Sequence, residues 1–447
     1  MPERILTHIS YKQYIYILLY SKYIYGDSMN LKDKVRDIHE FVQGSYYLSD
    51  NNLGDYNDVI LYTVLTALKN GKQMIVGNYG TGKTTTAEAV SSIIYGYPVE
   101  VLQSCKLNGQ PFLTEEKIFG RPNLAELQKG REKVEWSNFS KFSGPKICDE
   151  LNRMHEGAQN VLLDSIDRGI FRYLNETINQ PQVPFYATVN YPDSGNTPII
   201  PPLSDRFDIS VEVSPAVGKT VYFDQARKNK EILSDPIMAS EIMKALHNGE
   251  DTGSYREKFR NKLEQSSIPV FSDEEITDCA RKINDVKLDS EADMFVNVFF
   301  GEANAITKVS GEIPTAHYEN VLVGRIKNNL SGRWVQSTSG YAKAMTYSSG
   351  EETSGIDDVK QAITVTLPHR VIFDEKYRSN NPKEPFFEGS QQKWLSQQVV
   401  ADFLTEFHEK KEDYKAFISA LMDNGDMKKF EGKDSAFMRS VISRKSR

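Results

Sequence analysis

The stretch "GNYGTGKTTT", residues 77–86, constrains this chain more than any other part of its sequence. It follows the apolar run "QMIV", and four of its residues fit the pattern G-x-x-x-x-G-K-[ST]: Gly77, Gly82, Lys83 and Thr84. The run "QMIV" predicts a buried strand, and "KTTTAEAVSSIIYG" predicts a helix. A phosphate-binding loop between a strand and a helix explains this order better than a simple glycine-rich turn.

The loop predicts contacts with a nucleoside triphosphate and its metal ion. Glycines let backbone N–H groups turn inward, and the start of a helix favours the charge of a phosphate. We expect Lys83 to bridge the β- and γ-phosphates and the Thr84 hydroxyl to ligate Mg²⁺. A second "GKT", at residues 218–220, does not fit because Val213 stands where the first glycine is required. The residues expected to contact nucleotide are Gly77, Asn78, Tyr79, Gly80, Thr81, Gly82, Lys83, Thr84 and Thr85.

Two adjacent carboxylates are the next candidates. In "PKICDELNR", Asp149 and Glu150 stand where a strand is expected to end. We expect Asp149 to hold Mg²⁺, directly or through water, and Glu150 to orient the attacking water. An Asp-Glu pair is common, so a solvated turn remains the alternative. Cys148, which precedes the pair, is expected to fill the core.

Two further segments carry polar residues after or between strands. In "PFYATVNYPDSG" the strand ends at Asn190, whose amide can hydrogen-bond the γ-phosphate or the water. A turn-forming Asn before Pro192 is the alternative. In "PPLSDRFDISVEV" a loop carries Arg206, which could neutralise transition-state charge on the nucleotide of a neighbouring subunit. An ordinary salt bridge with Asp205 or Asp208 is the alternative for Arg206.

Composition excludes some partners and favours a compartment. The net charge is -7 over 447 residues, so no global basic field draws the molecule to nucleic acid or membrane. Three cysteines in so long a chain do not make a disulfide framework, which fits a reducing interior and predicts a cytoplasmic location. No window of about 18 uninterrupted apolar residues predicts a membrane span.

The order of these segments predicts an α/β fold, with a parallel sheet, helices on both faces and the phosphate loop at the carboxyl edge of the strands. The five strands are expected at Gln73–Val76, Pro98–Leu102, Lys146–Asp149, Phe185–Val189 and Ile209–Val213.

Taken together, these residues resemble an AAA+ ATPase and, within that class, the MoxR family. The stretch "CDELNRMHEGAQNVLLDSIDRGIF" resembles the family's Walker B region, with Leu151 in place of isoleucine. "FYATVNYPDSGNTPIIPPLSDRFD" resembles its sensor-1 strand and Asp-Arg-Phe loop. "LSGRWVQSTSGYAKAM" resembles the helix that carries sensor 2, with Gly332 where proline is usual, which makes Arg333 the sensor-2 candidate. "IDDVKQAITVTLPHRV" resembles its final segment.

The resemblance covers about residues 53–371 and implies an architecture. It implies the strand order 5-1-4-3-2 and a helical lid that brings Arg333 towards the phosphates of its own or a neighbouring subunit. It also implies that residues 113–139 face the pore of a ring. We expect four regions: an N-terminal extension (1–28), a nucleotide-binding domain (29–213), a helical lid with an insertion (214–379) and a helical C-terminal tail (380–447). Either the natural chain starts at Met29 or residues 1–28 are a local extension.

The function that the resemblance implies is that of a ring-forming remodelling factor. We expect a hexamer that hydrolyses Mg-ATP and converts it into motion of the lid and of neighbouring subunits on a client protein, with a von Willebrand A domain protein as a possible partner. Three alternatives stay open. One is a nucleic-acid motor of the MCM or McrB kind, against which the acidic balance argues. The second is the use of GTP, and the third is a nucleotide-gated structural or adaptor ring.

Overall fold

The computed structural model describes residues 30–46, 52–53, 56–193, 195–213, 223–305, 321–385, 387 and 389–445. The expected extension at 1–28 and the second "GKT" lie outside the described residues. Up to the last strand of the central sheet, the elements are α1 Leu31–Tyr46, β1 Asn52–Leu53, β2 Tyr56–Asn57, α2 Asp58–Lys69, β3 Lys72–Gly77, α3 Lys83–Tyr95, α4 Val99–Cys105, β4 Leu107–Asn108, α5 Glu115–Phe119, β5 Gly120–Pro122, α6 Leu124–Leu127, β6 Val134–Trp136, α7 Asn138–Lys141, β7 Lys146–Asp149, α8 Glu156–Val161, α9 Leu163–Arg168, β8 Ile170–Tyr173, β9 Glu176–Asn179, β10 Phe185–Asn190, α10 Pro201–Ser204 and β11 Ile209–Val213.

Five of these strands form one sheet in the order β11-β3-β10-β7-β4. Every neighbouring pair in it is parallel. Numbered along the chain, the order is 5-1-4-3-2, so the predicted α/β fold and strand order are confirmed. Successive side chains of a strand point to opposite faces. In β3, Met74 packs into one apolar cluster and Ile75 into the other, which shows that both faces of the sheet are covered.

The strand predicted at Pro98–Leu102 is wrong. Helix α4 occupies that segment, and the second strand of the sheet is β4, Leu107–Asn108. Val101, Leu102 and Cys105 are buried, and their spacing of three and four residues is that of one helix face. The apolar run alone did not distinguish a short strand from a short helix. The other four predicted strands coincide with β3, β7, β10 and β11.

Two antiparallel hairpins extend from the sheet layer. Strands β5 and β6 form one hairpin, within the segment 113–139 that was expected to face a pore. Strands β8 and β9 form the other. The indole N–H of Trp136, in the first hairpin, donates to Glu176 Oε2, in the second, at 3.1 Å. The two hairpins are therefore in contact, and their place relative to a pore stays a prediction.

The second half of the chain is almost entirely helical. Its buried side chains join one face of the sheet in a single apolar cluster. Because this cluster contains residues from both halves of the chain, it marks no boundary between domains, and the predicted boundaries stay predictions. In the part of the chain that the structure describes, no helix combines the length and apolarity needed to cross a membrane. The elements are α11 Phe223–Leu233, α12 Pro236–Asn248, α13 Gly253–Gln265, α14 Asp273–Asp285, β12 Lys287–Leu288, α15 Ser290–Ala303, α16 Leu322–Arg325, α17 Gly332–Ser349, β13 Thr353–Ser354, α18 Ile356–Thr366, α19 Glu375–Asn380, α20 Gln391–Met422 and α21 Ala436–Lys445.

The long helix α20 is anchored both to strand β11 of the central sheet and to helix α15. At its start, Ser390 N donates to Glu212 Oε2 at 2.7 Å, and the Tyr191 hydroxyl donates to the same oxygen at 2.9 Å. Further along, Phe403 and Phe407 pack edgewise or tilted against Phe295 of α15, with ring centroids 5.4 and 5.0 Å away. The predicted helical tail is thus a packed part of the fold.

A buried carboxylate fastens the last helix. Glu302 of α15 accepts hydrogen bonds from the Tyr414 hydroxyl (2.8 Å), the Ser435 hydroxyl (2.5 Å) and Phe437 N (3.2 Å). Burial raises the pKa of Glu302, and these hydrogen bonds only partly oppose that effect. The ionised carboxylate therefore costs free energy in the folded state.

We expect Glu302→Gln to reveal this cost through its pH dependence. A pKa raised on folding contributes stability below pH 4.5, the ordinary value, and this stability is lost as the pH rises through the folded-state pKa. The free energy of unfolding of the unmodified protein should therefore fall, relative to that of Glu302→Gln, as the pH is raised from 4.5. Urea unfolding of both proteins across this range measures the difference. A difference that is independent of pH, or of opposite sign, would contradict the assignment.

Candidate nucleotide-binding site

The candidate residues meet at the carboxyl edge of the parallel sheet. Asn190, the last residue of β10, lies opposite Gly77, the last residue of β3. On the other side of β10, Ala187 lies opposite Cys148, so Asp149 ends β7 at the same edge. Strand pairing thus brings together three segments that are far apart in the chain.

The glycines of the loop are required by its backbone. Gly80 and Gly82 have φ values of 71° and 80°, which side-chain-bearing residues rarely adopt. Gly77 packs so closely on β11 that an added Cβ would lie 2.8 Å from Val213 O. Helix α3 then starts at Lys83, so the loop ends at a helix N-terminus as predicted.

The Lys83 ammonium is at the centre of the site. Its Nζ donates to Gly77 O (2.9 Å), Asn78 O (2.6 Å) and Asn190 Oδ1 (2.9 Å). These three bonds use all three of its donors. Burial lowers the pKa of Lys83, whereas the charges of Asp149 and Glu150 act in the opposite direction. A phosphate next to the loop would offer this ammonium charged acceptors in place of neutral ones.

Asp149 is held by two hydroxyls and one cation. Thr84 Oγ1 and Thr188 Oγ1 both donate to Asp149 Oδ1 at 2.6 Å. Lys106 Nζ lies 3.5 Å from Oδ2 and also pairs with Glu88 at 3.0 Å. Burial alone would raise the pKa of Asp149, but the hydrogen bonds from Thr188 and Thr84, with Lys106, lower it below its ordinary value. The carboxylate is therefore ionised at neutral pH.

The pair Thr84–Asp149 fits Mg²⁺. It offers a hydroxyl oxygen and an ionised carboxylate in direct contact. Mg²⁺ prefers such oxygen ligands and is usually held by one or two carboxylates together with the phosphates of a substrate. The predicted metal residues are thus adjacent to each other, next to the predicted phosphate loop.

Glu150 is placed by an unusual backbone conformation. Its φ and ψ are 53° and 49°, in the left-handed region that glycine favours. Glu150 N donates to Thr188 Oγ1 at 2.8 Å, and Asn190 Nδ2 donates to Glu150 Oε1 at 2.9 Å. Asn152 holds the Asn190 backbone from both sides, through Asn190 O (2.9 Å) and Asn190 N (3.2 Å). Asn190 therefore bonds both Lys83 and Glu150, as a simple turn residue would not.

The sequence interpretation missed several supporting residues. Thr188 lies two residues before Asn190 on the same face of β10, and strand periodicity could have indicated it. Nothing in the local sequence pointed to Lys106, Asn152 or Gly109. An added Cβ on Gly109 would lie 2.1 Å from Glu150 O, so this glycine permits the close approach of β4 to the Asp149–Glu150 turn.

Tyr79 links the loop to two further residues that were not predicted. Its side chain is exposed, and its hydroxyl is hydrogen-bonded to Asp193 and to the Arg153 guanidinium. Arg153 Nη2 also pairs with Asp193 Oδ2 at 3.3 Å. Two other hydroxyls bond within the loop, Thr81 Oγ1 to Asn78 O (2.8 Å) and Thr85 Oγ1 to Gly82 O (2.9 Å).

The two candidate arginines lie together, but not with Lys83. Arg206 Nε and Arg333 Nη2 lie 2.9 and 3.0 Å from the same oxygen, Oδ2 of Asp167. Lys72 Nζ is 3.9 Å from the other oxygen of Asp167. Lys72 begins β3, a six-residue strand whose last residue is Gly77, and at about 3.3 Å per residue its ends are about 16 Å apart. Arg206 and Arg333 are thus near the opposite edge of the sheet, which is formed by the amino ends of the parallel strands.

Contact with a nucleotide was predicted for both arginines, and an ordinary salt bridge was the alternative for Arg206. Arg206 does form a salt bridge, but with Asp167 of α9 rather than with Asp205 or Asp208. Arg333 also pairs with Asp205, at 3.3 Å. Its side chain is 45 % exposed against 18 % for Arg206, so Arg333 is the more accessible to an approaching molecule. Neither arginine is directed at the phosphate loop of its own chain.

We expect Gly109→Ala to lower the free energy of unfolding by about 1–3 kcal/mol, because the added Cβ overlaps Glu150 O and must displace the Asp149–Glu150 turn. Urea unfolding measures the change. Gly44→Ala is the matched control: Gly44 lies inside helix α1, and among the described residues its Cβ would meet only Asn229 Nδ2, at 3.9 Å. Equal stability of the two variants would show that the turn does not depend on Gly109.

Comparison with known proteins supports the interpretation of the core. Residues 72–207 match the family model of the AAA domain, dynein-related subfamily. The crystal structure of a candidate ATPase from Cytophaga hutchinsonii shares the fold, with a TM-score of 0.53 and 15 % sequence identity over 87 % of this chain and 98 % of that one. No curated protein sequence matches the chain. Residues 72–207, which contain Lys83, Asp149, Asn190 and Arg206, are therefore similar in sequence to an AAA domain of the dynein-related subfamily, and the chain shares the fold of an AAA-type α/β protein.

Proposed function

We propose that this protein is an Mg-ATP hydrolase whose active sites are shared between neighbouring copies of the chain. The observation that carries this proposal is the separation of the two groups of charged residues. Lys83, Asp149 and Glu150 lie at one edge of the sheet, and Arg206 and Arg333 lie near the other. Phosphoryl transfer needs positive charge close to the transferred phosphate. A second copy can supply it where the same copy cannot.

The chemistry follows from the residues at the loop. Lys83 is placed to neutralise the β- and γ-phosphates, and Thr84 with Asp149 would hold the Mg²⁺ that accompanies ATP. When bound, the ion would supply positive charge next to the phosphate oxygens. Glu150 orients the attacking water and accepts its proton. Asn190 donates one hydrogen bond to Glu150 and accepts one from Lys83, so it holds the base close to the lysine that binds the γ-phosphate.

We further propose a ring. When the arginine surface of each copy contacts the phosphate-loop surface of the next, the contact is head-to-tail, and such contacts form a ring if the rotation between copies closes. The resemblance to MoxR proteins supports a hexamer that remodels a client protein, with a von Willebrand A domain protein as a possible partner. Lid residues contact the loop that carries Arg206, which supports coupling of hydrolysis to lid motion. Three buried, unpaired cysteines support a cytoplasmic location.

We expect Glu150→Gln to keep ATP binding and to lower turnover by about 10²–10⁴-fold, the usual contribution of a general base. The glutamine side chain retains an oxygen for Asn190 but cannot accept the proton. Equilibrium binding of ATP and steady-state phosphate release measure the two effects. Many turnovers per chain in the unmodified protein would exclude a purely structural ring. Unchanged turnover in Glu150→Gln would remove the assignment of Glu150.

We expect the specific ATPase activity of the unmodified protein to rise with protein concentration, because a lone chain lacks the arginines of a neighbour. Arg206→Ala and Arg333→Ala should each lower it strongly at every concentration, by up to about 10³–10⁵-fold for an arginine that contacts the phosphate. Both variants should still bind ATP. Arg281→Ala is the matched control, because Arg281 is 70 % exposed and pairs only within its own helix. A flat specific activity that Arg206→Ala leaves unchanged would contradict the shared site.

A further inference from the structure

Arg370 is a buried lid residue with an unusual set of partners. It follows helix α18 in the run Pro368–His369–Arg370, and its side chain is 2 % exposed. Its guanidinium is hydrogen-bonded mainly to the loop of residues 204–208, which carries Arg206. No other part of the proposed mechanism uses Arg370.

The hydrogen bonds lie on both sides of Arg206. Arg370 Nη2 donates to Asp205 O (3.2 Å) and to Phe207 O (2.5 Å). Arg370 Nη1 donates to Asp208 O at 2.8 Å, and Nε donates to Asp205 Oδ1 at 3.3 Å. One planar side chain thus bonds the residue before Arg206 and the two residues after it. Only the fork of an arginine offers so many donors in fixed directions.

Neighbouring lid residues extend the same contact. His369 Nε2 lies 2.9 Å from Phe207 O, and the Ser204 hydroxyl donates to His369 O at 2.7 Å. At the residue that precedes helix α17, the Ser331 hydroxyl donates to Asp205 Oδ1 at 2.6 Å. Arg333, two residues further along, bonds the other oxygen of Asp205. Asp205 therefore joins the lid helix of Arg333 to the loop of Arg206.

We propose that Arg370 is a positioning residue, which fixes the backbone on both sides of Arg206 and ties it through Asp205 to Arg333, so that the lid presents both arginines as one unit to the nucleotide of a neighbouring copy. This inference rests on the proposed shared active site. It assigns Arg370 no contact with ATP. The expected consequence is directional: a chain without Arg370 can receive the arginines of a neighbour but cannot supply its own.

Mixing two inactive variants tests this direction. A donor chain with Glu150→Gln has both arginines but no general base, and a receiver chain with Arg206→Ala has an intact Glu150 but cannot supply Arg206. A random equal mixture should regain about a quarter of the unmodified activity, since about a quarter of junctions pair a receiver site with a donor loop. This recovery is the reference for the test.

Arg370→Met is then added to one chain at a time. In the donor we expect recovery to fall about tenfold or more, because the Arg206 loop is no longer held. In the receiver we expect recovery to stay unchanged. Arg370→Lys in the donor should restore part of the recovery, since lysine keeps the charge but not the fork. Arg325→Met in the donor is the matched control: Arg325 is another buried lid arginine, and it pairs with Glu406 instead, at 2.6 Å.

The outcomes separate the inference from the proposed function. Loss that is confined to the donor supports a positioning role. Equal loss from both chains would mean that Arg370 only maintains the fold, and no loss from either would mean that the loop does not need it; each result overturns the inference. If Arg206→Ala is active alone, or if the parent mixture shows no recovery, the shared active site itself is wrong, and the inference falls with it.

Discussion

The amide of Asn190 is the interaction on which the rest of the site depends. Its oxygen accepts from Lys83 and its nitrogen donates to Glu150, so one planar group sets the distance between the Lys83 ammonium and the Glu150 carboxylate. This is possible because β10 lies between β3 and β7 in the sheet. The lysine follows the strand on one side, and the acid follows the strand on the other. The order of the strands thus determines that Lys83, Asn190 and Glu150 lie next to each other.

The surroundings of Asn190 are densely hydrogen-bonded. Asn152 holds its backbone, and Thr188, two residues earlier, bonds both Asp149 and the Glu150 amide. A left-handed Glu150 persists only where neighbouring contacts compensate its backbone strain. One hydrogen-bonded side chain, that of Asn190, therefore joins Lys83 to Glu150.

The opposite edge of the sheet is organised around carboxylates instead. Asp167 receives Arg206 and Arg333, and Asp205 receives Arg333 and Arg370. Asp208 accepts from the Ser337 hydroxyl at 2.8 Å and from Lys72 N at 2.9 Å, so it joins the lid to the first residue of β3. Ser337, Arg333 and Arg370 therefore contact the core near the start of β3, away from the predicted phosphate loop of the same chain.

Prediction from the sequence succeeded where a function depends on neighbouring residues. The loop at Gly77–Thr85, the helix after it and the pair Asp149–Glu150 are local patterns, and they lie where they were predicted. The strand at Pro98–Leu102 failed because a short apolar run fits a helix face as well as a strand. The supports of the site, Gly109 and Lys106 among them, were missed because their partners are about 40 residues away along the chain.

By itself the sequence determined that a glycine-rich loop of the phosphate-binding pattern lies between a strand and a helix, because backbone conformation and spacing within a dozen residues suffice for that. Only the tertiary structure decided which residues share an edge of the sheet. It brought Arg206, Arg333 and Arg370, which are spread over 165 residues, to one surface and kept them from the phosphate loop of the same chain. The physical reason is that contacts between distant segments follow from sheet order and lid packing, which no local pattern encodes.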